Sequence, residues 1–159
     1  MSIHLSANQQ LAKHLREVHF GGNWSCSNLK DHLFDLNWKE ALQQVHNLNS
    51  IATLTVHCSY YVNVLLEVLK GNPLNSKDEY SFQLPEIKSQ EEWDNLLNKI
   101  WNKAEEAAAL LEQIPESRLY ENFTEEKYGV YFRNINGIIE HLHYHLGQIV
   151  LIKKLLRQS

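Results

Sequence analysis

Several classes of protein are set aside by what this chain of 159 residues has little of. It has two cysteines, Cys26 and Cys58, one in an expected loop and one in an expected helix. That supply does not build a disulfide framework, and both thiols are expected to be reduced. Basic charge is scarce: 15 Lys and Arg against 19 Asp and Glu give a net charge of −4. A nucleic-acid binder needs a clustered cationic surface, so no nucleic-acid partner is expected. The only basic cluster, Lys153, Lys154 and Arg157, falls at the end of the last expected helix, where cations complement the helix dipole. No run of about 18 apolar residues occurs, so no membrane span is expected. The N-terminal stretch lacks a charged segment followed by an apolar one, which predicts a cytoplasmic protein. Sustained period-two alternation, internal repeats and low-complexity tracts are also lacking, which argues against strands and solenoids.

What is present is helical periodicity. With 43% hydrophobic and 21% charged residues, the chain has enough apolar material for one core, and positions 1–159 are read as a single domain. Leu5, Leu11, Leu15 and Val18 mark a first helix over about 3–19, stopped by Gly21 and Gly22. Ser27 and Asn37 are read as N-caps of one or two short helices, the second supported by Glu40 three residues on. A long helix is predicted from Asn49 or Ser50 to Leu69, ended by Gly71 and Pro73. The segment 72–88 reads as a crossover loop in which Tyr80, Phe82, Leu84 and Ile87 can pack. Ser89 with Glu92 forms a capping-box pattern that opens a helix of about 24 residues ending at Pro115. A loop over 115–131 precedes a last helix from about Arg133 to Arg157. Four long helices with extended connections predict an all-α four-helix bundle with short additional helices in the connections.

Among nine histidines, His141 and His145 stand out. On a helix they lie about 40° apart around the axis and about 5–6 Å apart along it, close enough to bind one metal ion. Ile138, Ile149 and Ile152 share their face, so both imidazoles should point inward and need partners. A metal satisfies both; hydrogen bonds to backbone or tyrosine hydroxyls are the other solution. His57 lies with Leu54, Tyr61, Val64 and Val68 on a comparable apolar face of the second long helix. Two histidines from one helix and one from another can form an open three-nitrogen site for zinc, nickel, copper or iron. His143, about 200° from His141 on the wheel, faces elsewhere. His4, His14, His19, His32 and His46 sit among polar neighbours and are read as solvent-facing or ordinarily hydrogen-bonded. Cys58 is read as a small buried apolar residue. Gly147, costly inside a helix by about 1 kcal/mol, is expected to permit a close helix–helix approach. Gln148 can bond a ligand or backbone, or line a seam between helices. Tyr60, Tyr61, Asn134 and Glu140 are the candidates for supporting such a site.

Two segments, SIATLTVHCSYYVNVLLEVLKG and GIIEHLHYHLGQIVLIKKLL, carry a family resemblance. The histidine of the first, and the His-x-x-x-His pair followed by Gly-Gln-Ile in the second, resemble the DinB-like superfamily, related to the YfiT-like proteins. The resemblance implies an up-down-down-up bundle with a long crossover. It carries the family's metal site onto His57, His141 and His145, filled by zinc or nickel, with water completing the shell. Some members are bacterial thiol-dependent enzymes, namely bacillithiol S-transferases and mycothiol-dependent maleylpyruvate isomerases, and members often form homodimers. The implied function is therefore a divalent-metal-dependent enzyme, an S-transferase using a low-molecular-weight thiol or a hydrolase. The alternative is a non-catalytic metal- or small-ligand-binding bundle. No catalytic or thiol-binding residue is identified from the sequence.

Overall fold

The computed structural model describes residues 5–158. It is all-helical, with six α-helices: α1 (Ala7–Phe20), α2 (Leu29–Leu33), α3 (Trp38–Leu42), α4 (Ile51–Leu69), α5 (Gln90–Gln113) and α6 (Tyr131–Gln158). Three short 3-10 turns lie in the connections, and a single antiparallel bridge joins Asn122 to Val130. No strand occurs among the described residues.

The long helices begin where their caps are. Ser50 accepts from the Thr53 amide at 3.2 Å and opens α4 as expected. Asn37 and Glu40 form the anticipated reciprocal box at α3. The cap of α2 is Asn28, which accepts from the Asp31 amide, rather than Ser27, whose hydroxyl bonds His32 instead. Ser89 caps α5 through the Glu92 amide, but the Glu92 carboxylate reaches past it to the Lys88 amide at 2.6 Å. Helix α1 starts at Ala7 rather than near residue 3, and α6 starts at Tyr131. Gly21 takes φ +102°, a value that side chains disfavour, and bonds back to the Glu17 carbonyl. At the other end of α1, buried Asn8 donates to the carbonyls of Leu111, Glu112 and Ile114, capping the end of α5.

Each long helix has two of the others as principal neighbours: α5 packs on α1 and α4, and α6 packs on α4 and α1. Apolar residues three and four apart supply the faces, for example Leu11, Leu15 and Val18 on α1 and Leu142, Leu146 and Ile149 on α6. Each such side chain, taken from water, contributes about 1.5–3 kcal/mol before entropy is counted. Buried Ala104, Ala107 and Ala108 keep that part of α5 slim. By length and apolar content α4 alone among the described helices meets the requirement for crossing a membrane; 56% of its most apolar window is buried inside the protein.

The basic cluster does more than complement a helix end. Lys153 bonds the His32 carbonyl at 2.8 Å and pairs with Asp35, and Arg157 pairs with Asp35 at 2.7 Å. These contacts tie the α2–α3 region to α6. Gly147 is exposed, and a Cβ built there would meet nothing within 4 Å. No close helix approach therefore requires this glycine, contrary to the expectation from its mid-helix position.

Candidate metal centre

His57 projects from the middle of α4, and His141 and His145 project from successive turns of α6, which packs on α4. His57 and His145 are buried and His141 is half-buried. Their Nε2 atoms converge: His57 to His141 is 3.1 Å and His141 to His145 is 2.9 Å. These three histidines form the one group, among the described residues, of three or more metal-ligating side chains close enough to share an ion.

Hydrogen bonds on the far sides of two rings select their neutral tautomer. Gln148 Oε1 lies 2.7 Å from His145 Nδ1, and an amide oxygen only accepts, so His145 Nδ1 carries a proton. Ser81 Oγ donates to the Asp78 carbonyl at 2.7 Å, so it accepts from His57 Nδ1 at 2.9 Å. In their neutral forms both rings therefore carry the proton on Nδ1, which leaves the Nε2 lone pairs aimed at the centre. His141 Nε2 can bring one proton at most, whatever its charge state. One hydrogen cannot satisfy two contacts on different sides, so lone pair faces lone pair somewhere in the cluster. A cation removes that conflict. Metal–nitrogen bonds of about 2.0–2.1 Å in a tetrahedral shell separate the nitrogens by about 3.3 Å, a small expansion of the distances here. The residues present thus fit a divalent ion with three nitrogen ligands.

Electrostatics point the same way. Burial, then the positive forms of His141 and His145, push the His57 imidazole down to about 4. Burial, then His145, lowers His141 also. These rings stay neutral near pH 7, the state a metal requires. Aromatic side chains surround them. Phe82 stacks on His57 with centroids 3.9 Å apart, Tyr61 meets His57 and His141 edge-on, and Tyr144 packs on His145. The Tyr61 hydroxyl donates to Asp78 Oδ1 at 2.9 Å, and burial followed by that bond raises its pKa.

The crossover loop thus supplies Asp78, Ser81 and Phe82 to the site. Sequence reasoning treated Phe82 only as a packing residue and passed over the other two, because nothing in a polar loop reveals which residue folds back. Gln148 was named with several roles, of which bonding a ligand histidine is the one realised. Tyr61 is at the site. Tyr60 instead exchanges hydrogen bonds with the backbone of Lys77, Asn134 donates to the Tyr128 and Val130 carbonyls, and Glu140 is exposed.

The remaining histidines fall elsewhere. His143 lines a surface cleft with His14 and Glu17, off the metal-facing side of α6. His14 and His46 are exposed and His32 is half-buried. His19 is hydrogen-bonded, to the Leu15 carbonyl at 2.7 Å, but it is buried rather than at the surface, edge-on to Trp101. His4 lies outside the described residues. Cys58 is buried and free, its thiol pushed up to about 12 by burial, and Cys26 is free and exposed.

Beside His141 a cleft of about 350 Å³ opens, lined by Tyr61, Arg133, Asn134, Gly137, Ile138 and His141. This size lies at the lower end for small-molecule sites. Comparison of the chain with protein-family models, with curated proteins and with solved structures returns no match.

Proposed function

We propose that this chain is a DinB-like, YfiT-like four-helix bundle that holds one divalent ion, zinc or nickel, on His57, His141 and His145. It would use that ion to transform a small molecule in the adjoining cleft. The reading places the protein in a bacterial cytoplasm, as a homodimer, acting as a thiol-dependent S-transferase or a hydrolase. One observation carries it: two imidazoles, each hydrogen-bonded through Nδ1 in the tautomer that frees Nε2, converge with the Nε2 of a third. The long connection between α4 and α5 has the reach to return the chain across the bundle, as an up-down-down-up order requires.

When bound, such an ion supplies Lewis acidity that brings the pKa of water or of a small thiol towards neutrality. The protein's own residues prepare for this. Ser81 and Gln148 hold the imidazoles in tautomer and orientation. Phe82 and Tyr61 cover His57 and limit water. The converging ligand set is three histidines with no carboxylate among them, so a coordination position stays free for substrate.

A non-catalytic metal- or ligand-binding role is favoured by a different observation. Asp78, the carboxylate tied into the site, is engaged by the Tyr61 hydroxyl and is not a free general base. Metal content of tag-free wild type and His145→Ala, read together with thiol-transfer and hydrolysis screens, separates the readings. The enzyme reading expects near-stoichiometric metal and turnover, both lost in the variant. Turnover that survives metal loss would overturn the metal mechanism. Stoichiometric metal with silent screens would favour the non-catalytic role.

A further inference from the structure

The cleft beside His141 has a second end, and its chemistry specifies a ligand. Arg133, Gly137 and His141 are spaced i, i+4 and i+8 on α6, so all three lie along one face. The backbone at 133 and 141 is about 12 Å apart at 1.5 Å per residue, and the arginine stem leans towards Gly129, which puts its end of the cleft away from His141. Arg133 is exposed, and among the described residues its guanidinium makes no ion pair or hydrogen bond. By contrast, Arg16 and Arg157 are both paired with carboxylates. The Arg133 stem passes close over Gly129, which sits at φ +73° and where a Cβ would come within 3.3 Å of Arg133 Cδ.

Gly137 forms the floor between the two ends. It is exposed inside a long helix, a position where glycine weakens the helix relative to alanine. Packing does not call for it, since a Cβ there would meet nothing within 4 Å. What a side chain at 137 would occupy is the cleft itself. Tyr61 and Ile138 add apolar surface to the wall.

We propose that this cleft binds an elongated small molecule carrying a carboxylate, with the anion held by Arg133, the chain lying over Gly137 and the other end at His141. A planar carboxylate matches the two-pronged donor array of a guanidinium, and among the described residues no carboxylate is paired with it. The inference deepens the proposed function by naming a substrate class. It rests on that reading only at the His141 end.

The test is calorimetric titration with adipate, a six-carbon dicarboxylate, on zinc-loaded and metal-free wild type, with hexanol as the uncharged control. Arg133→Gln and Gly137→Leu are measured alongside, each checked for metal content and melting temperature. The expected result is adipate binding in wild type that weakens at least about tenfold in Arg133→Gln, with metal content unchanged. Gly137→Leu should lose binding while melting no lower than wild type, because leucine is the better helix former and fills open space. Binding that needs Arg133 but not metal supports the anion site and overturns the placing of the ligand's other end on an ion at His141. Binding that needs metal but is the same in Arg133→Gln overturns the anion site and leaves the metal reading standing. No adipate binding by either form of wild type also overturns it.

Discussion

Replacing Ser81 with alanine tests the site without touching a ligand. The Ser81 side chain is fully buried: it accepts from His57 Nδ1, donates to the Asp78 carbonyl and lies beside the Tyr61 hydroxyl. The carbonyl keeps the Ser81 backbone amide at 3.0 Å after the hydroxyl is gone. The Tyr61 hydroxyl keeps its bond to Asp78, so the His57 Nδ1–H is the donor left stranded, at a cost of about 1–3 kcal/mol for a buried donor. In metal-free protein the ring escapes most of this cost by moving the proton to Nε2, where His141 Nε2 lies 3.1 Å away. That escape is closed to the metal-bound form, which needs the Nε2 lone pair. The penalty therefore falls on metal binding. Zinc affinity should drop about 10- to 100-fold, as for other residues that orient a ligand histidine. The melting temperature should fall more with zinc than without it. Competition against a chromophoric chelator gives the affinity and calorimetry gives the melting shift. Zinc affinity within twofold of wild type would refute the tautomer argument. Gln148→Ala, made for comparison, should fall at the lower end of the range, because this half-exposed position lets water replace the amide oxygen.

Two further outcomes follow from other parts of the molecule. Burial, partly offset by the Leu15 bond, lowers the His19 imidazole from 6.5 to about 4. The unfolded chain takes up that proton first, so stability is complete above pH 6.5 and declines as pH falls towards 4. The His19 share is about 3 kcal/mol at 1.36 kcal/mol per pH unit. Urea unfolding at pH 7.5 and pH 4 should show a smaller acid loss in His19→Leu, and equal losses would refute the assignment. Gly147→Ala should stabilise the protein by about 1 kcal/mol, since the added methyl meets nothing and the helix gains. A lower melting temperature in that variant would mean that something covers this position of α6.

The helices themselves were legible in the sequence because they are local. Apolar spacing, caps such as Ser50 and Asn37, and breakers such as Gly21, Gly71 and Pro115 act within a few residues. The pairing of His141 with His145 was legible for the same reason, since four residues is one helical turn. His57 could be placed on an apolar face, but only the packing of α4 on α6 brings its Nε2 to the other two. The contributions of Ser81, Asp78 and Phe82 depend on how a polar loop folds back across the long helices, and no periodicity encodes that. His19 shows the limit from the other side. The sequence reads it as a surface residue, yet the packing of α1 on α5 buries it and sets it edge-on to Trp101, a residue 82 positions away along the chain (101 − 19). Local spacing fixed which groups share a helix face; long-range packing alone decided what those faces meet.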